Sequence, residues 1–397
     1  MPEAPCWKEQ HEENMKLRRR ELDSTGTIRA DAMAAECRSR LIKSVRKIAS
    51  CSEAGKLGLL LSGGVDSSAI LQAAASIDVR FAAAVTVVIV DPDNPDRRPP
   101  EDELYAIEAA RLYNENLSHT MKHSIVRLTP GRLINKYSYP TIQTLALWGF
   151  METRNSLIIS AGLHEASNLG VTDIIVGDNA DELFGGSYDI YFDDRFANNP
   201  EEWKRKRNGM ADLPFVTHKL AATYNIAVHQ PFTDQEIFVK WALAETTRSD
   251  CIDKCRIQSR FGGPYEMQNC GKILLREAFC TVASWRRMDW IFRGSGAADG
   301  DVLVDYFKSS LGISDEEFLS QQADYLRKGI SLKSKEHLHN IRIFQTIFGG
   351  LNHPTKQRYP IGDPRGCVSC CFEIGDEQFC HLCDEYPAQH PKKELIK

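Results

Sequence analysis

The chain has 397 residues, of which 42% are hydrophobic and 26% charged, with a formal net charge of -5. That length admits one large core with a satellite, and the balance is that of a folded globular protein, which excludes a disordered or fibrous chain. No global basic bias points to nucleic acid, and no apolar run reaches the roughly 20 residues that span a bilayer. The acidic, charged first residues lack the apolar stretch of a secretory leader, so a cytoplasmic protein is expected.

In chain order, residues 1–30 are polar and are expected to form a frayed or loosely docked segment. Over residues 31–49, Met33, Cys37, Leu41, Ile42, Val45 and Ile48 recur at helical spacing. LGLLL (residues 57–61) is a short apolar run bounded by Gly and Ser, which predicts a buried parallel strand. SGGVDSSAILQAAA turns from glycine into a helix. AAAVTVVIV (82–90) predicts a second strand, EDELYAIEAARLYNENL a helix, TMKHSIVRL a third strand, residues 150–169 a helix, and VTDIIVG (171–177) a further strand. This alternation predicts an α/β fold with a doubly wound parallel sheet, its ligand crevice at the strand carboxyl ends. LPFVTHKLAATYN, QEIFVKWALAET, KILLREAFCTVASWRR, EEFLSQQADYL and KEHLHNIRIFQTIF make the rest, to about residue 350, mostly helical. Residues 351–365 are rich in Gly and Pro and read as a linker, and residues 366–397 as a small cysteine-rich module.

The first chemical motif is Ser62-Gly63-Gly64-Val65-Asp66-Ser67, between the first strand and its helix. Glycine lets backbone N–H groups approach an anion, and the helix start adds partial positive charge. Ser62 and Ser67 offer hydroxyl donors, and Asp66 can hold Mg²⁺ beside phosphates. No Walker lysine follows. A second acidic loop, Gly177-Asp178-Asn179-Ala180-Asp181-Glu182, follows the strand at 171–177. Carboxylates this close repel one another, and a Mg²⁺ shared with Asp66 would relieve the repulsion.

The first loop resembles the PP-loop, SGGxDS, of enzymes that split ATP between the α and β phosphates. Together the two loops resemble the class B asparagine synthetases, whose second loop reads SG(E/D)G(A/S/G)DE followed by FGGY; here it reads VGDNADELFGGSY. The resemblance extends over about residues 35–350. HQPFTDQEI is similar to that family's R-x-PFLD element, KILLREAF to its K-x-x-LR helix, and KEHLHNIRIF to its KEAYYYR-x-x-F helix. It implies a PP-loop/HUP-like sheet domain over residues 31–350, with Asp66 and Asp181 binding Mg²⁺ and Asp178 facing the reacting substrate. Leu60, Val85 and the backbone of Gly177 would frame adenine, with Ser62, Gly63, Gly64 and Ser67 on the phosphates.

Departures accompany the match. Pro2 stands where those synthetases carry a glutaminase cysteine, so ammonia is expected from outside the chain, either free or from a partner amidotransferase, with a different nucleophile as the remaining alternative. Val176 and Asn179 replace the second loop's first Ser and second Gly. In WRRMDWIFRGSG, Met288 replaces a lysine that stabilises the adenylated intermediate, leaving Arg286, Arg287 or Lys272 as the available cations.

Cys367-x2-Cys370 and Cys380-x2-Cys383 are two CxxC pairs nine residues apart, with Cys371 left over. The spacing suits a structural Zn²⁺ site of four thiolates that supplies the folding energy of a short segment. This ribbon resembles those on PP-loop enzymes that thiolate tRNA. Cys251, Cys255 and Cys270 are expected to be buried and inert, with an Fe–S cluster as the alternative. The expected activity is an ATP-dependent, AMP- and pyrophosphate-forming carbon–nitrogen ligase acting on a small-molecule carboxylate. A sulfur transferase acting on tRNA and a non-catalytic ATP-binding scaffold are the competing readings.

Overall fold

A computed structural model describes residues 7–94, 99–117, 120–186, 199–211, 215–258, 265–284, 301–309 and 311–390. The elements run α1 (Trp7–Glu21), α2 (Ser24–Cys51), β1 (Leu57–Leu60), α3 (Val65–Ala75), β2 (Ala83–Ile89), α4 (Glu101–Asn116), β3 (Lys122–Leu128), α5 (Pro130–Leu145), α6 (Phe150–Asn168) and β4 (Asp173–Ile175). They continue with α7 (Ala180–Phe184), α8 (Pro200–Ala211), α9 (Thr217–Ala222), β5 (Ala227–His229), a 3-10 turn (Pro231–Thr233), a π turn (Gln235–Val239), α10 (Lys240–Glu245), α11 (Arg248–Cys251), β6 (Asp253–Gln258) and β7 (Tyr265–Cys270). The last are α12 (Ile273–Ala278), α13 (Asp301–Ser309), α14 (Asp315–Arg327) and α15 (Lys335–Phe348). No helix among the described residues is long and apolar enough to cross a membrane.

The chain divides into two compact units. The first gathers Met1–Val88, Asp96–Arg127 and Gly162–Ala297; the second gathers Ile89–Pro95, Leu128–Ala161 and Ala298–Lys397. In the first, five strands line up as β3-β2-β1-β4-β5. β1 pairs in parallel with β2 (Leu60 beside Val85) and with β4 (Leu59 beside Ile175), and β4 pairs in parallel with β5. The expected parallel sheet is therefore present, and the apolar strands are buried as that arrangement demands. Strand order reverses around β1, and the loops after β1 and β4 emerge side by side at their carboxyl ends, the crevice position of an open α/β sheet.

The long α2 starts at Asp23, whose carboxylate accepts from the Gly26 N–H at 2.6 Å. Its Met33, Cys37, Leu41 and Val45 are buried in the core of the unit, on the face that the spacing anticipates. Residues 1–30 differ from expectation. The described part, from Trp7, is helical, and the reason lies in charge pairing. Arg18 and Arg19 both reach Oε1 of the buried Glu277 at 2.7 Å, and Arg18 also pairs with Asp253. The predicted helix over 272–287 is also shorter than expected over its described part, to residue 284. α12 ends at Ala278, where Ser284 turns back to donate to the Phe279 carbonyl at 2.6 Å and to accept from the Thr281 N–H at 2.8 Å. Short hydroxyl side chains compete with helix in this way. β5 and the antiparallel β6–β7 hairpin had no clear sequence signal.

In the second unit, Trp148 is fully buried, edge-on to Phe344 of α15 at 4.6 Å and to Phe372 of the cysteine-rich segment at 5.5 Å. The N–H groups of Trp148 and Gly149 donate to the Leu382 carbonyl, each at 2.9 Å. Asp384 accepts from the N–H groups of Met151 and Glu152, so it caps the start of α6. The cysteine-rich segment thus shares one apolar core with α5 and α15.

His337 is fully buried on α15, and burial, with Lys333 nearby, holds its pKa down to about 4 from 6.5. The folded state keeps this imidazole neutral while the unfolded chain protonates it below about pH 6.5. Its contribution to stability is complete above the unfolded value and is lost as the pH falls toward the folded one, by about 3 kcal/mol in all. In urea unfolding at about pH 7 and about pH 4.5, His337→Gln should show a smaller loss of stability than the parent protein by about 2 kcal/mol, the part of that total lost between these two pH values; equal losses would refute the burial argument.

Candidate active site

The first loop leaves β1 at Leu61, whose carbonyl accepts from the buried Thr86 hydroxyl at 2.6 Å. Gly63 adopts φ +73°, and a Cβ there would come within 2.4 Å of the Asp102 carbonyl, so the close turn requires glycine. The Ser62 hydroxyl accepts from the Gly64 N–H and lies 3.2 Å from the Ser67 hydroxyl. No side chain caps α3 at Gly64, which leaves the backbone N–H groups of its first turn for an anion. Every residue predicted for the phosphate loop sits in this turn. Leu60 and Val85 are cross-strand partners at the end of β1, and the Leu60 side chain lies toward Gly162 of α6.

The second loop follows β4. Gly177 passes against Asp66. Asn179 is buried, adopts φ +74°, and donates from Nδ2 to the Phe232 carbonyl at 3.1 Å. The replacement of a family glycine by Asn179 is therefore conservative in backbone terms, because asparagine tolerates the left-handed region better than other side chains do. Gly186 lies so close to Asp181 that an added Cβ would fall 1.8 Å from Oδ1.

Lys272 joins the two loops. It adopts φ +58° immediately before α12, its side chain is 1% exposed, and its Nζ lies 2.5 Å from Asp66 Oδ2 and 2.7 Å from Asp181 Oδ2. Its N–H donates to the Phe184 carbonyl at 2.9 Å, and the buried Arg276 locks the same turn through the Gly271 carbonyl at 2.7 Å and the Ser284 carbonyl at 2.6 Å. Burial opposes the ammonium charge, yet the two carboxylates outweigh it and hold the Lys272 pKa above its ordinary value. Burial pushes Asp66 up to about 6, against the pull of Lys272 and with the push of Asp181. Asp66 Oδ1 is buried and accepts no hydrogen bond among the described residues.

Asp178 stands apart from that trio. Its Oδ2 accepts from the Thr217 hydroxyl and from Gln230 Nε2, each at 2.7 Å. Burial raises its pKa against those two hydrogen bonds. Thr217 and Gln230 carried no sequence signal of their own, since each acts through a tertiary contact, whereas Arg276 is the arginine of the stretch similar to K-x-x-LR. Met288, Arg286 and Arg287 lie outside the described residues, as do Ser187 and Tyr188.

The four cysteines of the two CxxC pairs are all buried, with ligand atoms within 4.8 Å of one another. Sγ separations of 3.8 Å (Cys367 to Cys383) and 3.7 Å (Cys370 to Cys380) match the roughly 3.8 Å that a tetrahedral ion with bonds of about 2.3 Å imposes. Cys371 is not among them and points to the Gly329 carbonyl. Cys251, Cys255 and Cys270 form no such group among the described residues: Cys251 lies by Arg207 and Thr246, whereas Cys255 and Cys270 pack together on the β6–β7 hairpin.

A helix start held open for an anion, a second carboxylate loop at the adjacent strand end and a buried ammonium between them define an α/β enzyme of the PP-loop type. The family model described as asparagine synthase matches residues 36–250, more than half the chain, and the protein belongs to the asparagine synthase family, whose members are ATP-using, amide-forming ligases. Among solved structures, NMN synthetase from Francisella tularensis is similar at 14% identity over 78% of this chain and 93% of its own, with a TM-score of 0.26. NH3-dependent NAD synthetase from Campylobacter jejuni subsp. jejuni NCTC 11168 is similar at 15% identity over 44% of this chain and 77% of its own, with a TM-score of 0.24. No curated protein matches the chain.

The close approach at Gly186 yields a test. Gly186→Ala must displace the Asp181 carboxylate, and a shift of about 1 Å at a reacting site costs on the order of 100-fold. The rate of ATP turnover should fall by about that factor while the circular dichroism spectrum is retained; an unchanged rate would separate Asp181 from the reaction.

Proposed function

We propose that the protein adenylates a small-molecule carboxylate with ATP and transfers the acyl group to ammonia, releasing AMP and pyrophosphate. One observation carries the reading: Asp66 and Asp181, from loops far apart in sequence, converge on a single buried cation, Lys272 Nζ. Two carboxylates already sharing one positive charge, with the buried Asp66 Oδ1 still lacking a partner, also form a donor set suited to Mg²⁺. Asp66 and Asp181 would hold that ion, which neutralises phosphate charge when bound.

The chain's own residues account for the rest. The N–H groups at the start of α3, with Ser62 and Ser67, bind the phosphates, while Leu60, Val85 and Gly177 line the adenine position. A substrate carboxylate oxygen, facing Asp178, attacks the α-phosphorus; the new P–O bond forms as the bond to the bridging oxygen breaks, and pyrophosphate leaves with the electron pair. Lys272 supplies fixed positive charge beside the leaving group and fills the role of the lysine replaced by Met288. The ammonia lone pair then attacks the acyl carbon, the bond to AMP breaks, and the nitrogen loses a proton. The sulfur-transfer reading loses its proposed iron site, because Cys251, Cys255 and Cys270 form no metal group among the described residues. The scaffold reading gives no reason for two carboxylates and a lysine to be gathered at an open helix start.

Labelled pyrophosphate should exchange into ATP only when a suitable carboxylic acid is present. Asp66→Ala should abolish exchange, and Lys272→Met should slow it by about 100- to 1000-fold, the usual effect of removing one preorganised charge from a developing anion. Undiminished exchange in Asp66→Ala would defeat the assignment.

The cysteine cluster is proposed to hold structural zinc. Elemental analysis of purified protein should find zinc in stoichiometric amount. Cys370→Ser should lose the metal and lower the thermal midpoint, because metal binding is coupled to folding. A metal-free protein of full stability would overturn the zinc site.

A further inference from the structure

We infer that Thr217 and Gln230 are positioning residues that act on the reaction through Asp178, an inference that rests on the ligase reading above. Two donors from separate elements meet on one oxygen of one carboxylate. Thr217 is the first residue of α9 and Gln230 directly follows β5; each places its donor 2.7 Å from Asp178 Oδ2. An ionised carboxylate accepts on both oxygens, yet no described residue donates to Oδ1. Rotation of the carboxylate would break both bonds to Oδ2, so the pair fixes the plane of the group and leaves Oδ1 clear of every donor among the described residues.

Neither side chain has another evident task that calls for these groups. Thr217 is buried, its hydroxyl does not cap α9, and Val216, the residue just before the helix, supplies no side-chain cap. Gln230 occupies the open position of the element similar to R-x-PFLD, so the pattern itself does not demand an amide there. The same segment holds the loop at two further points, with the His229 carbonyl accepting from the Val176 N–H at 3.0 Å and the Phe232 carbonyl accepting from Asn179. Residues 229–232 therefore grip the second loop before, at and after Asp178. The group held in this way suits an N–H or O–H donor on the acceptor substrate, distinct from the Asp66–Lys272–Asp181 cluster that faces the phosphates.

The test uses the full chain and the carboxylic acid that supports pyrophosphate exchange. Gln230→Leu and Thr217→Val should each lower kcat/KM for that acid about ten-fold, the usual scale for a hydrogen bond to a charged group, with the KM for ATP unchanged. Thr217→Ser, which keeps the hydroxyl, should restore the rate, a rescue that a packing role for the Thr217 methyl would not give. On an Asp178→Ala background, either substitution should add nothing to the residual loss, because interacting residues are not additive. A full additional effect on that background, an equal rise in the KM for ATP, or failure of Thr217→Ser to rescue would overturn this inference and leave the ligase reading standing. A screen in which no acid supports exchange would overturn the ligase reading, and this inference with it.

Discussion

The site depends on a repulsion that must be neutralised. Asp66 and Asp181 are brought to the carboxyl ends of neighbouring strands, where two half-buried negative charges disfavour each other. Lys272 meets both, and the surrounding structure is arranged to put it there. Its backbone is left-handed, Gly271 before it packs against the Gly185 carbonyl with no room for a Cβ, and Arg276 ties both sides of the turn. Glu277, next in α12, is gripped by Arg18 and Arg19. A buried ion pair of this sort is weak evidence for stability but strong evidence for fixed geometry, since losing one partner leaves an uncompensated charge.

Much of this was legible in the sequence wherever a local rule sets the structure. LGLLL had to be buried on both faces, and SGGVDS needed glycine where Gly63 turns at positive φ against α4. Met33, Cys37, Leu41 and Val45 share a face because the helical repeat makes them do so. Asp66, Asp181 and Lys272 could be named as candidates one by one, but their meeting could not, because it depends on which strand ends are neighbours. Thr217 and Gln230 were invisible for the same reason. The β6–β7 hairpin was missed because DKCRIQ and YEMQNC are largely polar and present only a weak apolar alternation. The polar start of the chain reads as frayed or loosely docked because its partners, Asp253 and Glu277, lie in the later part of the sequence.

The cysteine-rich segment shows how a small unit is held when it has little core of its own. Four thiols gather in one place, and the same stretch contributes Phe372 and Leu382 to a core built around Trp148. Asp384, one residue beyond the last of the four cysteines, closes the start of α6. A cysteine cluster able to hold a metal ion, apolar packing and helix capping thus fall within a few residues of one another, so a change at the cluster reaches the α6 terminus without an intermediary.

The pairing of Arg18 and Arg19 with Glu277 also bears on biogenesis. Domains fold as they are made, amino end first. The first helix leaves the ribosome long before Glu277 is synthesised, and of the partners of its two arginines among the described residues only Asp31, which meets Arg19, is made early. The last stretch of this unit to be translated therefore secures the first, and nascent chains halted short of residue 277 lack the contact that seats the amino-terminal helix.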